Sequence, residues 1–160
     1  MQKHMKNRGF TLVEIMIVVA IIGLLAAMSM PALAKSRKTS RAVAAAKDLR
    51  TFYDAFQQYA MASGGFSNDP GIPGEIPAYL TNYTVSKVWT STPAGGQYYY
   101  KSTCFGALDS RPAVGIVSVG GKALSSELMQ IIDERIDNGD LASGMFVRLS
   151  VNAYYFMLDK

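Results

Sequence analysis

Residues 10–34 read FTLVEIMIVVAIIGLLAAMSMPALA, and Glu14 is the only charged side chain in this segment. A helix needs about 20 consecutive apolar residues to cross the hydrocarbon core of a bilayer, so the segment is long enough to span one. A surface helix of a soluble domain keeps one polar face, whereas this helix would be apolar on every side. The segment therefore predicts a membrane-spanning helix near the N-terminus of a chain of 160 residues.

Three interpretations of this segment are open: a cleaved secretory signal, a permanent anchor, or an anchor that also takes part in assembly. The basic stretch Met1–Arg8 and the small-x-small sequence Ala32-Leu33-Ala34 favour a cleaved signal. Against that interpretation, the apolar run exceeds the roughly 7–15 residues of a signal's apolar region. An export signal would also gain nothing from the carboxylate of Glu14.

Glu14 is energetically unfavourable in this segment, since placing a charged side chain at the centre of a membrane helix costs about 2.5–3.5 kcal/mol. One explanation is that Glu14 snorkels to the lipid headgroups from its place near the start of the run. Another requires the chain to be cut between Gly9 and Phe10. Phe10 would then carry a free α-amino group about one helical turn, roughly 5.4 Å, from Glu14. The amine of one chain could then neutralise the carboxylate of its neighbour in a low dielectric.

The stretch Arg8-Gly9-Phe10-Thr11-Leu12-Val13-Glu14 resembles the prepilin cleavage motif of type IV pilins and type II secretion pseudopilins. A short basic leader ends in Gly, Phe follows, and the apolar helix comes next. Pro31 also lies where many pilins have a proline. The resemblance covers about the first fifty residues closely and the remainder only in layout. It implies that a prepilin peptidase cuts after Gly9 and methylates Phe10, and that Glu14 is the carboxylate used in assembly.

The predicted organisation has five regions: a leader (1–9), a transmembrane and filament-core half of a long helix (10–34), an amphipathic half (35–62), a loop region (63–96) and a C-terminal sheet domain (97–160). The positive-inside rule does not fix the orientation, because basic residues lie on both sides of the span. They are Lys3, Lys6 and Arg8 before it, and Lys35, Arg37, Lys38 and Arg41 after it. The family resemblance implies a single-pass protein of the bacterial inner membrane, with the C-terminal domain outside the cytoplasm and later in a periplasmic or extracellular filament.

Helical periodicity continues beyond the span. Apolar residues recur at helical spacing and predict an amphipathic helix that ends near Ala62, before Ser63-Gly64-Gly65. Pro31 removes one backbone hydrogen bond, so we expect a kink or melting point there. Four of the six prolines lie in 63–96, which predicts a long loop, and we expect Trp89 to be buried. The predicted apolar stripe consists of Leu49, Phe52, Tyr53, Phe56 and Tyr59.

The C-terminal region predicts four strands and one short helix. The helix, Leu124–Asp137, has Ser125 or Ser126 to cap its start and Gly139 to close its end. The fold class is therefore α+β, with one long N-terminal helix packed on an antiparallel sheet of about four strands. The predicted strands are Gln97–Phe105, Ala113–Val119, Met145–Ser150 and Ala153–Leu158.

Composition excludes several kinds of chemistry. The single cysteine, Cys104, rules out an internal disulfide and a multi-cysteine metal site. The single histidine, His4, lies in the N-terminal tail and argues against a Ser-His-Asp triad. No acid-base or nucleophilic constellation is present, so we predict that the chain is not an enzyme and needs no cofactor. Asp137 and Asp140 are candidates for calcium binding, although their spacing does not match an EF-hand loop. A net charge of +4, concentrated around the span, argues against nucleic acid as a partner.

The sequence thus predicts a structural subunit of a type IV pilus or a type II secretion pseudopilus. Its expected partners are other pilin or pseudopilin subunits, the prepilin peptidase, an inner-membrane assembly platform and the lipid bilayer. The alternatives are a minor pilin for adhesion or DNA uptake, or a secreted binding module whose apolar run is an ordinary signal. The residues do not distinguish a pilus from a pseudopilus or a major from a minor subunit, and they assign no role to Cys104.

Overall fold

Helix α1 extends from Leu12 to Ser63 in the computed structural model, which describes residues 9–68, 71–83, 89–102 and 111–159. The chain forms two compact units, Met1–Arg37 and Lys38–Lys160, and α1 contributes residues to both. The helix ends as its sequence predicts. Gly64 adopts a positive φ of 81°, and its N–H donates to the carbonyl of Ala60 at 2.9 Å, a common way of closing a helix.

The second half of α1 carries the predicted apolar stripe. Leu49, Phe52 and Phe56 are buried, and Tyr53 and Tyr59 are half-buried against the same core. Three alanines continue the stripe toward the N-terminus, where their small side chains allow close packing. They are Ala42, Ala45 and Ala46, each 5% exposed or less.

Four antiparallel strands form one sheet, namely β1 (Gln97–Lys101), β2 (Ala113–Val117), β3 (Phe146–Ser150) and β4 (Ala153–Met157). Their order in the sheet is β1-β2-β4-β3. Strands β3 and β4 are joined at Val151-Asn152, as predicted. The fold is therefore the predicted α+β class, a long helix with a four-stranded antiparallel sheet and a short helix.

Aromatic rings fill the core between α1 and the sheet. The ring of Phe52 lies 4.7 Å from that of Tyr98, and the ring of Phe56 stacks on Tyr100 at 4.5 Å. The Tyr98 hydroxyl donates to Asp48 Oδ2 at 2.9 Å, and burial together with this carboxylate raises the pKa of Tyr98. The predicted burial of Trp89 is confirmed, since only 2% of it is exposed.

Helix α2, Ser126–Ile136, lies between β2 and β3 in the sequence. Ser125 caps it as predicted, because its side chain accepts the N–H of Leu128 at 3.4 Å. The prediction for the other end was wrong. The C-cap is Asp137, whose N–H donates to the carbonyl of Asp133 at 2.7 Å, while Gly139 lies in the following loop with a φ of 82°.

Further boundaries differ from the predictions: β3 begins one residue later, at Phe146, and β4 ends one residue earlier, at Met157. A short 3₁₀ helix, Ala78–Tyr83, interrupts the predicted loop region, because Leu80 is fully buried and anchors that turn in the core. Strand β2 stops at Val117 rather than Val119, since Gly120 and Gly121 adopt positive φ values. Cys104 and Phe105 of the first predicted strand lie outside the described residues.

Both edges of the sheet are covered by loops of the same chain. On β3, Phe146 N–H donates to Asp137 Oδ2 at 3.0 Å and Arg148 N–H donates to the carbonyl of Leu141 at 2.8 Å. On β1, Tyr98 N–H donates to Trp89, and the Tyr98 carbonyl accepts from Gly74 at 2.9 Å. An exposed edge strand is a template for pairing with another chain, so these contacts disfavour assembly by strand addition.

Candidate processing and assembly site

The start of α1 is a capping box formed by Thr11 and Glu14. Glu14 Oε2 accepts the backbone N–H of Thr11 at 2.8 Å and the Thr11 hydroxyl at 2.8 Å. In return, Thr11 Oγ1 accepts the backbone N–H of Glu14 at 3.2 Å. This reciprocal pattern satisfies N–H groups that a helix start otherwise leaves without partners.

The capping box was not predicted, although the order Thr11-Leu12-Val13-Glu14 has the Thr-x-x-Glu spacing of this motif. Its presence adds a role for Glu14 within its own chain. The predicted pairing of Glu14 with the amine of a neighbouring Phe10 stays a prediction. A cut after Gly9 would leave the Thr11–Glu14 pair intact and place the new amine one residue before it.

Gly9 and Phe10 directly precede this helix start and are exposed. Phe10 is 83% exposed. A Cβ atom added at Gly9 would meet no other atom within 4 Å, so the chain's own packing does not require glycine there. The geometry leaves the peptide bond between Gly9 and Phe10 accessible from outside.

The first half of α1 exposes apolar side chains on all sides. Exposures of large apolar residues in this half range from 50% at Ile15 to 75% at Leu12. Within the described residues, α1 is the one helix long and apolar enough to cross a membrane, and its most apolar window is entirely unburied. Such a surface needs a lipid or protein environment to remove it from water.

Pro31 lies inside α1, and residues 12–63 are helical on both sides of it. A proline has no N–H, so the carbonyl of Ala27 loses its helical donor. The helix of this chain thus tolerates the proline, and the predicted kink or melting point at Pro31 stays a prediction.

Asp137 and Asp140 hold the loop that follows α2. Asp137 Oδ2 accepts N–H groups of Met145 and Phe146 at the start of β3. Asp140 accepts the Ser143 hydroxyl at 2.8 Å and the Ala142 N–H at 3.1 Å, and these bonds lower its pKa. The part of the chain described here contains no group of three His, Cys, Asp or Glu side chains placed to hold a metal ion, and calcium binding stays a prediction.

Asp133 is a buried carboxylate that the sequence analysis did not single out. It is fully buried on α2. Among the described residues neither of its carboxylate oxygens has a hydrogen-bond partner of good geometry. Burial, followed by the negative charge of Asp137, raises the pKa of Asp133 to about 6, and the nearby backbone N–H of Gly139 opposes this rise. Helical spacing could have indicated this burial, since Asp133 follows Met129 by four residues on the buried face of α2.

Comparisons with known proteins point to the same N-terminal motif. Residues 4–30 match the family model described as the prokaryotic N-terminal methylation motif. A segment covering 49% of the chain is 41% identical to the type IV major pilin protein PilA of Myxococcus xanthus, of which it spans 36%. A segment covering 59% of the chain is 30% identical to the type II secretion system core protein G of Pectobacterium carotovorum, of which it spans 59%.

The fold has a solved counterpart. The structure of the major type IV pilin PilA1 from Clostridium difficile aligns with a TM-score of 0.52, covering 77% of this chain and 97% of that one at 14% identity. The motif, the two relatives and the pilin fold support the type IV pilin and pseudopilin family. The chain therefore combines the pilin-type N-terminal motif with a long helix and a four-stranded sheet, as its sequence predicted.

Proposed function

We propose that the chain is a structural subunit that a prepilin peptidase cuts after Gly9 and methylates at Phe10, and that then assembles into a type IV pilus or a type II secretion pseudopilus. The relatives by name include a pilin and a secretion core protein. In this proposal residues 10–34 anchor the subunit in the inner membrane before assembly. The domain that follows lies outside the cytoplasm.

The observation that carries the proposal is the unburied apolar half of α1 behind an accessible Gly9–Phe10 bond. The same apolar surface suits both the membrane-bound monomer and the assembled subunit. As a monomer the helix lies in lipid, and in a filament the same side chains pack against copies of themselves. The free energy gained by removing apolar surface from water is similar in both states, about 25 cal/mol per Å², so close packing and polar interactions direct the exchange.

Glu14 is the source of one such polar interaction. Its capping bonds to Thr11 partly satisfy the carboxylate in the monomer. A neighbour's amine at Phe10 would add an opposite charge in a low-dielectric environment, where attraction is far stronger than in water. This charge pair would therefore stabilise the assembled subunit relative to the subunit in lipid. No catalytic step enters this proposal, because the role is mechanical.

The mass of the mature chain tests the proposal. Cleavage after Gly9 leaves 151 residues beginning with N-methyl-phenylalanine. Cleavage after Ala34 would instead leave 126 residues without an anchor and would identify a secreted protein. Intact-mass and N-terminal sequencing of the native protein from membranes and sheared filaments distinguish these products. Detection of the 126-residue species as the sole product would overturn the proposal.

A further inference from the structure

A groove between α1 and α2 is lined by more basic than acidic side chains. It encloses about 350 Å³, and Lys47, Arg50 and Arg135 line it together with a single acid, Asp54. Val43 and Ala46 contribute apolar surface to the same groove. Three cations against one carboxylate favour an anionic group with an aliphatic stem as the occupant of this groove.

Arg50 is fixed within the groove by α2. Its guanidinium donates to the carbonyl of Arg135, in the last turn of that helix. Carbonyls at a helix C-terminus lack donors within the helix and carry partial negative charge, so arginine is well placed there. The guanidinium has five N–H donors, which leaves others for a ligand.

The side chains of Lys47 and Arg135 form no salt bridge with the described residues. The salt bridge that joins α1 to α2 among the described residues is Lys38–Glu127, and neither Lys47 nor Arg135 shares an acidic partner of this kind. Both side chains are exposed. A carboxylate entering the groove would therefore displace no internal ion pair.

The distribution of charge along the chain indicates where such a carboxylate comes from. Residues 35–63 contain six basic and two acidic residues, whereas residues 64–160 contain seven basic and nine acidic residues. One copy thus presents a basic helix and a mildly acidic remainder. Glu75, Glu134 and Asp140 are exposed carboxylates of that remainder. A polynucleotide would need several phosphate contacts along an extended basic surface, which this small groove does not offer.

We propose that the groove binds an exposed carboxylate from residues 64–160 of a second copy of this chain in the filament. The inference rests on the proposed function and adds a polar contact to the apolar one made by residues 10–34. Complementary charge of this kind fixes register and orientation between copies. It distinguishes the correct neighbour from other ways of packing apolar helices.

Zero-length carbodiimide cross-linking tests the contact, since it joins a lysine amine only to a carboxylate in direct contact. Filaments of the full chain and the same protein dispersed in detergent are treated and analysed by peptide mass spectrometry. We expect Lys47 of one copy to be joined to a carboxylate within residues 64–160 of another in filaments, and this product to be absent from dispersed protein. Mixed isotopically light and heavy subunits separate such links from links within one copy.

A charge reversal provides the second arm. The double variant Lys47→Glu, Arg135→Glu should enter filaments at least about tenfold less than the unmodified chain, while Lys122→Glu, an exposed charge change elsewhere, should enter normally. Equal thermal melting in detergent shows that the variant is folded, and Lys47→Gln, Arg135→Gln replaces it if melting is lowered. Filaments without a Lys47 link and with normal entry of the variant would overturn the groove contact and leave the proposed function standing. A chain that forms no filaments at all would overturn both.

Discussion

The carboxylate of Glu14 has two candidate partners, Thr11 of its own chain and the amine of a neighbour's Phe10. The substitution Glu14→Gln separates them, because glutamine also serves at the third position of a capping box but carries no charge. We expect processing and membrane insertion to continue, while entry into filaments falls by about tenfold or more through loss of the charge pair. Quantitative immunoblots of sheared filaments against membranes measure the effect.

Glu14→Ala is the matched comparison, since it removes the cap and the charge together. Equal defects in Glu14→Gln and Glu14→Ala would assign the role to the charge. Normal filament entry by Glu14→Gln, combined with failure of Glu14→Ala, would show that capping is what assembly requires and would contradict the predicted pairing.

Asp133 makes the stability of the domain depend on pH. Its pKa rises from 3.8 to about 6 in the folded chain, so the folded state holds a proton over this interval that the unfolded state releases. The free energy of unfolding contributed by this group is therefore greatest below pH 3.8, falls up to about pH 6 and is constant above it. Asp133→Asn should flatten that decline.

Thermal melting of the full chain in detergent between pH 4 and pH 7.5 measures this. The Tm difference between Asp133→Asn and the unmodified chain should grow in favour of the variant as pH rises from 4 to about 6 and should stay constant above it. Glu75→Gln, which changes an exposed carboxylate that is not among the charges raising the pKa of Asp133, is the control and should leave the profile unchanged. A constant difference at every pH would show that Asp133 does not titrate in this range.

At the scale of single residues, the N-terminal motif was readable from the sequence, whereas the buried polar groups were not. Gly9, Phe10 and Glu14 form a local pattern, and local patterns can be read directly. The burial of Asp133 depends on how α2 packs, which involves residues distant in sequence. On the same helix, Ile131 and Ile136 are half-buried and pack against the core.

At the scale of elements, β2 contains a position that only glycine fits. A Cβ atom at Gly115 would lie 2.5 Å from Tyr155 Cδ1 and 2.6 Å from the Tyr154 carbonyl oxygen of the paired strand β4. Gly115→Ala should therefore destabilise the domain by about 1–3 kcal/mol, as overpacking commonly does. Urea unfolding of the full chain in detergent provides the measurement.

Gly65→Ala is a suitable control for this substitution, because a Cβ atom there meets nothing within 4 Å and the residue has no positive φ. A similar loss of stability in both variants would assign the effect to something other than the Gly115–Tyr155 contact.

The existence and type of the elements were predictable, whereas their pairing was not. Alternation and helical periodicity are properties of short windows, and they located α1, α2 and all four strands within a few residues. The order β1-β2-β4-β3 places β2 beside β4, although α2 and β3 come between them in the chain. Such non-local pairing depends on tertiary packing, so the sequence predicted about four strands without their order.

At the scale of the whole molecule, the buried core belongs to one of the two units. The buried residues of both apolar clusters lie between Ala42 and Leu158, within the unit Lys38–Lys160. A chain lacking Met1–Arg37 should therefore fold, remain soluble without detergent, and fail to enter filaments, because it has lost the exposed apolar surface but none of the buried side chains. Circular dichroism and light scattering check folding and the monomeric state.

A longer deletion, of residues 1–49, gives the contrast that makes this prediction informative. It also removes Ala42, Ala45, Ala46 and Leu49, all buried against the sheet and its loops. Deleting a large buried aliphatic side chain alone costs about 2–5 kcal/mol, a substantial part of the 5–15 kcal/mol by which domains are typically stable. We therefore expect the shorter fragment to be unfolded or aggregated. If both fragments aggregated, the domain would need the first half of α1 for folding, and that segment would not be an anchor and assembly element alone.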